Sequence, residues 1–577
     1  MGAQTMDQIR AQAEAWLSDA YDEETRKKVQ YLLDNDPQEL KESFYTNVAF
    51  GTGGMRGIMG VGTNRINKYT IGKATQGLAE TLKESHGDNI AVAIAHDCRN
   101  NSDVFARVAA NVLSANGIKV FLFKALRPTP ELSFAVRHYA CKAGIVVTAS
   151  HNPKEYNGYK VYGDDGCQIV SPVDQILLDK VKAMSVSDVN FEANEALIES
   201  LGEETDAIYI DRLKTLSLSP EAIARQKNTK IVYTALHGTG AILVPRALKA
   251  YGFENVSTVA AQDEISGDFP TVISPNPEEP AALEMAIAQA GKIEAELVMG
   301  TDPDSDRVGI AIRMEDGTYQ LLNGNQTGSL LVYYLITRWK ELGKITGKEF
   351  IAKTVVTTEL MDKMALANGI KVYNTLTGFK HIGSVIRNLE GKEQFIGGGE
   401  ESYGYLAGDF VRDKDAVMSC ALIAEMFAWA KDQGKSLPDL MADMHLSYGF
   451  YLEDLISLTR KGMDGAAEIA AMVENFRNNP PSEINGSKVV RMIDYKSGDD
   501  KNMLDGSISN IDLPSSNFMQ FFTEDDSKIT VRPSGTEPKI KFYFSVNTKL
   551  SSKELYTETE AKLKEKIKSI QKSLQLI

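Results

Sequence analysis

Three stretches of this chain repeat one order of local patterns. The first is the apolar run Ile90-Ala-Val-Ala-Ile-Ala95, a polar turn (His96 to Ser102), a helical stretch, then Gly117-Ile-Lys-Val120. The second is Lys230 to Ala235, a turn at His237-Gly-Thr-Gly240, a helical stretch, then Gly252 to Val256. The third is Phe350 to Val356, a turn, a helical stretch, then Gly369-Ile-Lys-Val372. Each reads as strand, helix, a glycine ending the helix, and strand, which is a βαβ unit with a right-handed crossover. Each is followed by another apolar run that enters a loop of unusual composition. These loops are Ala149-Ser-His-Asn-Pro153, Thr301-Asp-Pro-Asp-Ser-Asp-Arg307 and Gly397-Gly-Gly-Glu-Glu-Ser-Tyr-Gly404. No single loop is a complete active site, so the expectation is three similar α/β domains whose loops converge on one cleft.

A chain of 577 residues is too long for one core. After Asn478-Asn-Pro-Pro-Ser-Glu-Ile-Asn-Gly-Ser487, a segment expected to be a linker, the pattern changes to short alternating strands and a charged amphipathic helix from Ser552. This predicts a smaller C-terminal α+β domain. The first forty residues are expected to be helical and peripheral. The expected boundaries are 1–205, 206–325, 326–455 and 456–577.

Asp302, Asp304 and Asp306 alternate within five residues. Such a cluster repels itself unless a cation sits in it, and hard oxygen ligands select Mg²⁺, Ca²⁺ or Mn²⁺ over zinc. An EF-hand loop needs Gly at its sixth position and Glu at its twelfth, where this chain has Arg307 and Arg313. A solvated acidic turn is the competing account, but the preceding run (Ala295 to Gly300) has the composition of a buried strand. That would set the carboxylates at a strand C-terminus, where open α/β sheets carry their chemistry.

The other loops supply complementary chemistry. Ser150 beside His151 lacks the G-x-S-x-G elbow of a hydrolase, and by itself could be an ordinary N-cap. Near a divalent cation it suits a phosphoryl acceptor. Arg532-Pro-Ser-Gly-Thr-Glu-Pro538 offers a cation, hydroxyls and backbone amides to a phosphate dianion, or is a plain turn. Glu400 and Ser402 could hold vicinal sugar hydroxyls, or form another acidic turn. The Gly-rich segment Phe44 to Gly60 carries Arg56 and is not a P-loop.

The net charge of −15 argues against a nucleic-acid partner. Four cysteines without C-x-x-C spacing fit a reducing compartment. No apolar run reaches bilayer length, and Met1 to Asp22 has no apolar signal core, so a cytoplasmic protein without membrane contact is expected.

Taken together, Thr148-Ala-Ser-His-Asn-Pro153, Asp302-Pro-Asp-Ser-Asp-Arg307, Gly399-Glu-Glu-Ser402 and Arg532-Pro-Ser-Gly-Thr-Glu-Pro538 resemble, in order, the motifs of the α-D-phosphohexomutase family. Phe50-Gly-Thr-Gly-Gly-Met-Arg-Gly57 and Thr377-Gly-Phe-Lys380 are similar to its longer subgroup, which includes phosphoglucomutases and phosphopentomutases. The resemblance implies three α/β domains with mixed sheets plus the C-terminal α+β domain, heart-shaped around a central cleft, with the last domain as a lid. It implies Ser150 as phosphoserine and Mg²⁺ held by Asp302, Asp304, Asp306 and a phosphoserine oxygen. Glu400 and Ser402 would hold the sugar, and Arg532, Ser534, Gly535 and Thr536 the phosphate that is not reacting. Lys380, with Thr377 and Gly378 beside it, would contact substrate and act in proton transfer, and Arg56 and Arg307 would add charge. His151 and Lys160 are further acid/base candidates. Phe379 stands where the family more often has Trp, and Tyr156-Asn-Gly-Tyr-Lys160 departs from its Gly-rich version.

The implied activity is interconversion of glucose 1-phosphate and glucose 6-phosphate, primed by glucose 1,6-bisphosphate, in a monomer or dimer. Mannose and pentose phosphates are alternative substrates on the same scaffold. A metal-dependent sugar phosphatase and a catalytically silent sugar-phosphate sensor are the alternatives of other kinds.

Overall fold

The computed structural model describes residues 5–48, 50–51, 54–460, 462–534 and 539–577. The chain forms two compact units. Unit one holds Met1–Leu322, Ile386–Asn388 and Gly404–Ala428; unit two holds Asn323–Val385, Leu389–Tyr403 and Trp429–Ile577.

Unit one opens with the helices Met6–Glu14, Glu23–Asn35 and Pro37–Phe44, as the sequence predicts. Its first sheet runs Phe50–Gly51, Gly54–Ile58, Tyr156–Gly163, Ala143–Val147, Ala91–His96, Lys119–Phe123, Ile198–Leu201. The three inner strands are parallel, and Tyr156–Gly163 joins them antiparallel. Ala91–His96 buries both faces: Val92 and Ile94 enter one core cluster, Ala93 and Ala95 another. That is why it reads as a continuous apolar run rather than an alternating one. The second sheet runs Tyr319–Leu322, Val308–Arg313, Leu297–Thr301, Ile231–Thr234, Val256–Thr258.

Unit two repeats the pattern with the parallel strands Lys371–Thr375, Glu349–Thr354 and Gln394–Gly399. The predicted helix-ending glycines Gly117, Gly252 and Gly369 all have positive φ, at 78°, 111° and 71°. Unit two then builds an antiparallel sheet ordered Phe450–Thr459, Lys539–Thr548, Lys528–Pro533, Met519–Thr523, Ser487–Asp494, Asp499–Asn502, Ile508–Asn510. The helices Gly462–Asn478 and Tyr556–Ser573 cover it.

The structure corrects the expected linker at 478–487. Phe450–Thr459 pairs with Lys539–Thr548 along its whole length, so the C-terminal sheet begins well before the Pro-Pro pair. Residues 478–487 end a helix and enter the hairpin Ile484↔Ser487 inside that domain. Proline cannot continue a helix, and this turn uses it as a stop. The expected boundary at 455/456 therefore cuts a strand, and those at 205/206 and 325/326 cut the helices Glu203–Lys214 and Gly324–Glu341.

Candidate functional site

In unit one the first two loops meet. Ser150 follows the strand Ala143–Val147, is 3% exposed, and has φ 53°. Its amide donates to Thr148 Oγ1 at 2.8 Å, and its Oγ donates to Asp302 Oδ2 at 2.7 Å. His151 Nδ1 lies 3.2 Å from the same Oγ. Burial, then the cations Arg307 and Arg56, hold the His151 imidazole well below its usual range, so it is neutral near pH 7. Arg56 donates to Asn152 Oδ1 at 2.8 Å, and Arg307 is paired with Glu278.

The Asp loop leaves the strand Leu297–Thr301. One oxygen from each of Asp302, Asp304 and Asp306 lies within 4.8 Å of the others, and all three residues are buried. Asp302 Oδ1 accepts from the amides of Asp306 and Arg307 at 3.1 and 3.0 Å. Asp304 Oδ2 accepts from Thr129 Oγ1 and Lys160 Nζ, both at 2.8 Å. Asp306 Oδ2 lies 3.3 Å from Lys160 Nζ and 3.2 Å from Lys414 Nζ. Among the described residues, nothing donates a hydrogen bond to the buried Asp304 Oδ1 or Asp306 Oδ1, though Arg307 Nε lies 3.9 Å from the latter. Burial and the Asp304 and Asp306 carboxylates push Asp302 well above the usual range. Asp304 lies below that range, because Lys160 outweighs the upward push of burial. Buried carboxylates that converge with orphaned oxygens form a donor set suited to a hard divalent cation.

The loop is held from several sides. Ser305 sits at φ 52°. Thr239 donates through both its amide and its Oγ1 to Pro303 O at 2.9 Å, and the Ala416 amide donates to Ser305 O at 3.0 Å. A Cβ on Gly238 would stand 2.5 Å from Pro303 Cα, so the turn His237-Gly-Thr-Gly240 needs its glycine to seat the Asp loop. Lys160 is committed to the triad: burial pushes its ammonium down, but Asp304 and Asp306 outweigh this and hold it above its usual range. That favours a charge-holding part over a proton carrier.

Three groups here were missed from the sequence. Lys414 sits in the charged run Arg412-Asp-Lys-Asp415 ahead of a buried helix, which was a usable signal. Thr129 carries no local signal. Arg99 lies in the turn from His96 to Ser102, whose composition reads only as polar.

Unit two carries the other loops. Glu400 is 7% exposed and accepts from the Gly378 amide at 3.0 Å, and Gly378 has φ 109°. Thr377 and Ser402 are half-buried, and Lys380 is the second residue of the helix Phe379–Leu389. Its neighbour Phe379 is buried. Glu401 instead accepts from Thr354 and Thr357 at 3.1 and 3.4 Å, so it anchors the loop and leaves Glu400 as the ligand candidate. Arg532 and Ser534 lie at the end of Lys528–Pro533, with the Ser534 amide bonded to Lys539 O at 2.7 Å. Gly535 and Thr536 lie outside the described residues.

Family models for alpha/beta/alpha domains I, II and III of phosphoglucomutase/phosphomannomutase match residues 47–186, 207–315 and 323–448. The chain is 39% identical over 512 residues to a phosphoglucomutase of Staphylococcus haemolyticus, covering 88% of this chain and 92% of that one. It is 37% identical to a phosphoglucomutase of Staphylococcus aureus (strain MRSA252), over 88% and 91% of the two chains. The open form of phosphoglucomutase (pp63/parafusin) from Paramecium shares the fold at TM-score 0.68 and 17% identity, over 92% of this chain and 95% of that one. The three domain matches in sequence order, together with relatives aligned over most of both chains, make this protein a member of the phosphoglucomutase/phosphomannomutase family, the α-D-phosphohexomutases.

Proposed function

We propose that the chain is a phosphoglucomutase that interconverts glucose 1-phosphate and glucose 6-phosphate through phosphorylated Ser150. One observation carries most weight: a buried serine hydroxyl 2.7 Å from a carboxylate of a three-aspartate cluster. The names of the relatives at 37–39% identity supply the sugar.

Asp302, Asp304 and Asp306 would hold Mg²⁺. Bound there, the ion would offset charge on the transferring phosphoryl group. The substrate's free hydroxyl attacks phosphorus in line; a new P–O bond forms as the bond to Ser150 Oγ breaks, the attacking hydroxyl gives up its proton, and Ser150 Oγ takes one up, so the proton count is unchanged. His151, neutral and 3.2 Å from Ser150 Oγ, stands on the leaving-group side and is the candidate to exchange the proton of that hydroxyl. The product is glucose 1,6-bisphosphate, which then returns its other phosphoryl group to Ser150. Arg56 and Arg307 supply further positive charge, with Lys160 and Lys414 balancing the triad. Recognition falls to unit two, with Glu400 and Ser402 for sugar hydroxyls, Thr377, Gly378 and Lys380 beside them, and Arg532, Ser534, Gly535 and Thr536 for the second phosphate.

The test is a coupled assay of glucose 6-phosphate formed from glucose 1-phosphate with Mg²⁺ and a trace of glucose 1,6-bisphosphate. Mannose 1-phosphate and ribose 1-phosphate are run in parallel, and released inorganic phosphate is measured. A higher kcat/KM on the pentose would overturn the sugar assignment. Phosphate release at the mutase rate would replace a mutase by a phosphatase.

A further inference from the structure

Arg99 is buried, with its side chain 0% exposed. Its guanidinium donates to four backbone carbonyls of one loop: Ser150 at 2.6 Å, Pro153 at 2.8 Å, Tyr156 at 3.0 Å, and Asn152. Phe269 covers it at 5.2 Å. Its Nε lies 3.3 Å from Asp97 Oδ2. Asp97 in turn accepts from the Arg99 amide at 2.9 Å, Ser102 Oγ at 2.6 Å and Thr148 Oγ1 at 2.7 Å. Thr148 Oγ1 also takes the Ser150 amide. One charged pair therefore grips the Ser150 loop from both ends.

The arrangement has a physical purpose beyond satisfying carbonyls. Ser150 has φ 53°, a region that non-glycine residues occupy only when their surroundings impose it. Carbonyls converging on one point repel one another unless a cation with several fixed donors sits among them. A guanidinium has that geometry; an ammonium, a single point of charge, cannot reach four acceptors spread along seven residues.

Building on the assignment of Ser150 as the phosphoryl acceptor, we propose that Arg99 is the positioning residue of this loop, holding Ser150 in its strained conformation with Oγ on Asp302. It touches neither substrate nor the reacting atoms, and acts through the backbone of residues 150–156.

The experiment compares wild type, Arg99→Ala and Arg99→Lys by steady-state kinetics and by amide hydrogen exchange of the peptide spanning 148–158. Misplacing the nucleophile by about 1 Å should lower kcat on the order of 100-fold while KM stays within about 3-fold. Exchange in the loop should rise, and millimolar guanidinium should restore both protection and roughly 10-fold of the lost rate in Arg99→Ala. Urea and matched NaCl should restore neither. Unchanged kcat, an unchanged exchange pattern, or a loss that guanidinium does not reverse would overturn the proposal. If Arg99→Ala does not fold, Arg99→Lys still decides: wild-type kcat and loop protection overturn the proposal, and loss of both with unchanged KM supports it. A wild-type protein inactive on glucose 1-phosphate would sink the sugar assignment alone, because the exchange measurement reads the loop without any substrate.

Discussion

Ser150 Oγ and Asp302 Oδ2 come within 2.7 Å although 152 positions separate them in the chain. Two strand C-termini from different sheets, Ala143–Val147 and Leu297–Thr301, deliver them. If Ser150 is the phosphoryl acceptor, Ser150→Ala removes the only oxygen that can carry the group. Turnover should fall on the order of 1000-fold or more with the melting temperature little changed. Intact mass after incubation with glucose 1,6-bisphosphate should show one added phosphoryl group in wild type and none in the variant.

Removing the metal should silence the enzyme reversibly. Chelator should abolish turnover and Mg²⁺ restore it. Asp304→Asn removes one ligand charge and one of the two carboxylates paired with Lys160, at 2.8 Å, leaving Asp306 at 3.3 Å. Mg²⁺ affinity should drop on the order of 100-fold by calorimetry. Undiminished binding would remove Asp304 from the ligand set.

Gly238→Ala tests the seating of the Asp loop without touching a ligand. The new Cβ meets Pro303 backbone atoms, from Cα at 2.5 Å to the carbonyl carbon at 2.9 Å, and backbone cannot swing aside. Overpacking of this kind costs about 1–3 kcal/mol. The expected outcome is a lower melting temperature together with weaker Mg²⁺ binding. Normal binding at reduced stability would mean that the turn is mere scaffolding.

Glu400→Gln keeps the shape and the acceptor for the Gly378 amide at 3.0 Å but loses the charge. Hydrogen bonds to a charged group are worth about 1.5–3 kcal/mol. KM for glucose 1-phosphate should therefore rise by about tenfold or more. An unchanged KM would transfer sugar recognition to other residues of the loop.

Asp415 gives a pH signature. Burial pushes its carboxyl from 3.8 up to about 6, although it accepts from the Met418 amide and, at 2.6 Å, from Tyr209. Below about pH 3 the group is protonated in both folded and unfolded chains, and its contribution to stability is whole. As pH rises toward about 6 the unfolded chain releases its proton first, and about 3 kcal/mol is lost. Asp415→Asn is neutral throughout. In urea unfolding, its stability relative to wild type should therefore improve by about 3 kcal/mol between acidic and neutral pH. A pH-independent difference would show that Asp415 ionises normally.

Much of this is legible in the sequence. Period-2 and period-3.6 patterns are local, so the strands near 90, 230 and 350 and the glycines after their helices could be read directly. The alternating Asp302, Asp304 and Asp306 point to a cation from the sequence, and the structure gathers the three buried carboxylates beside Lys160 and Lys414. The C-terminal domain's start was hidden, because Phe450–Thr459 acquires its partner from Lys539–Thr548 and pairing across eighty residues leaves no local mark. The same holds for Lys414 beside Asp306, Thr129 on Asp304 and Arg99 on the carbonyls of the Ser150 loop. The sequence by itself determined which elements form and what chemistry the loops can do, because backbone preference and charge act between near neighbours. Only tertiary structure decided which charges meet, because long-range contacts depend on how packed sheets bring distant strand ends together.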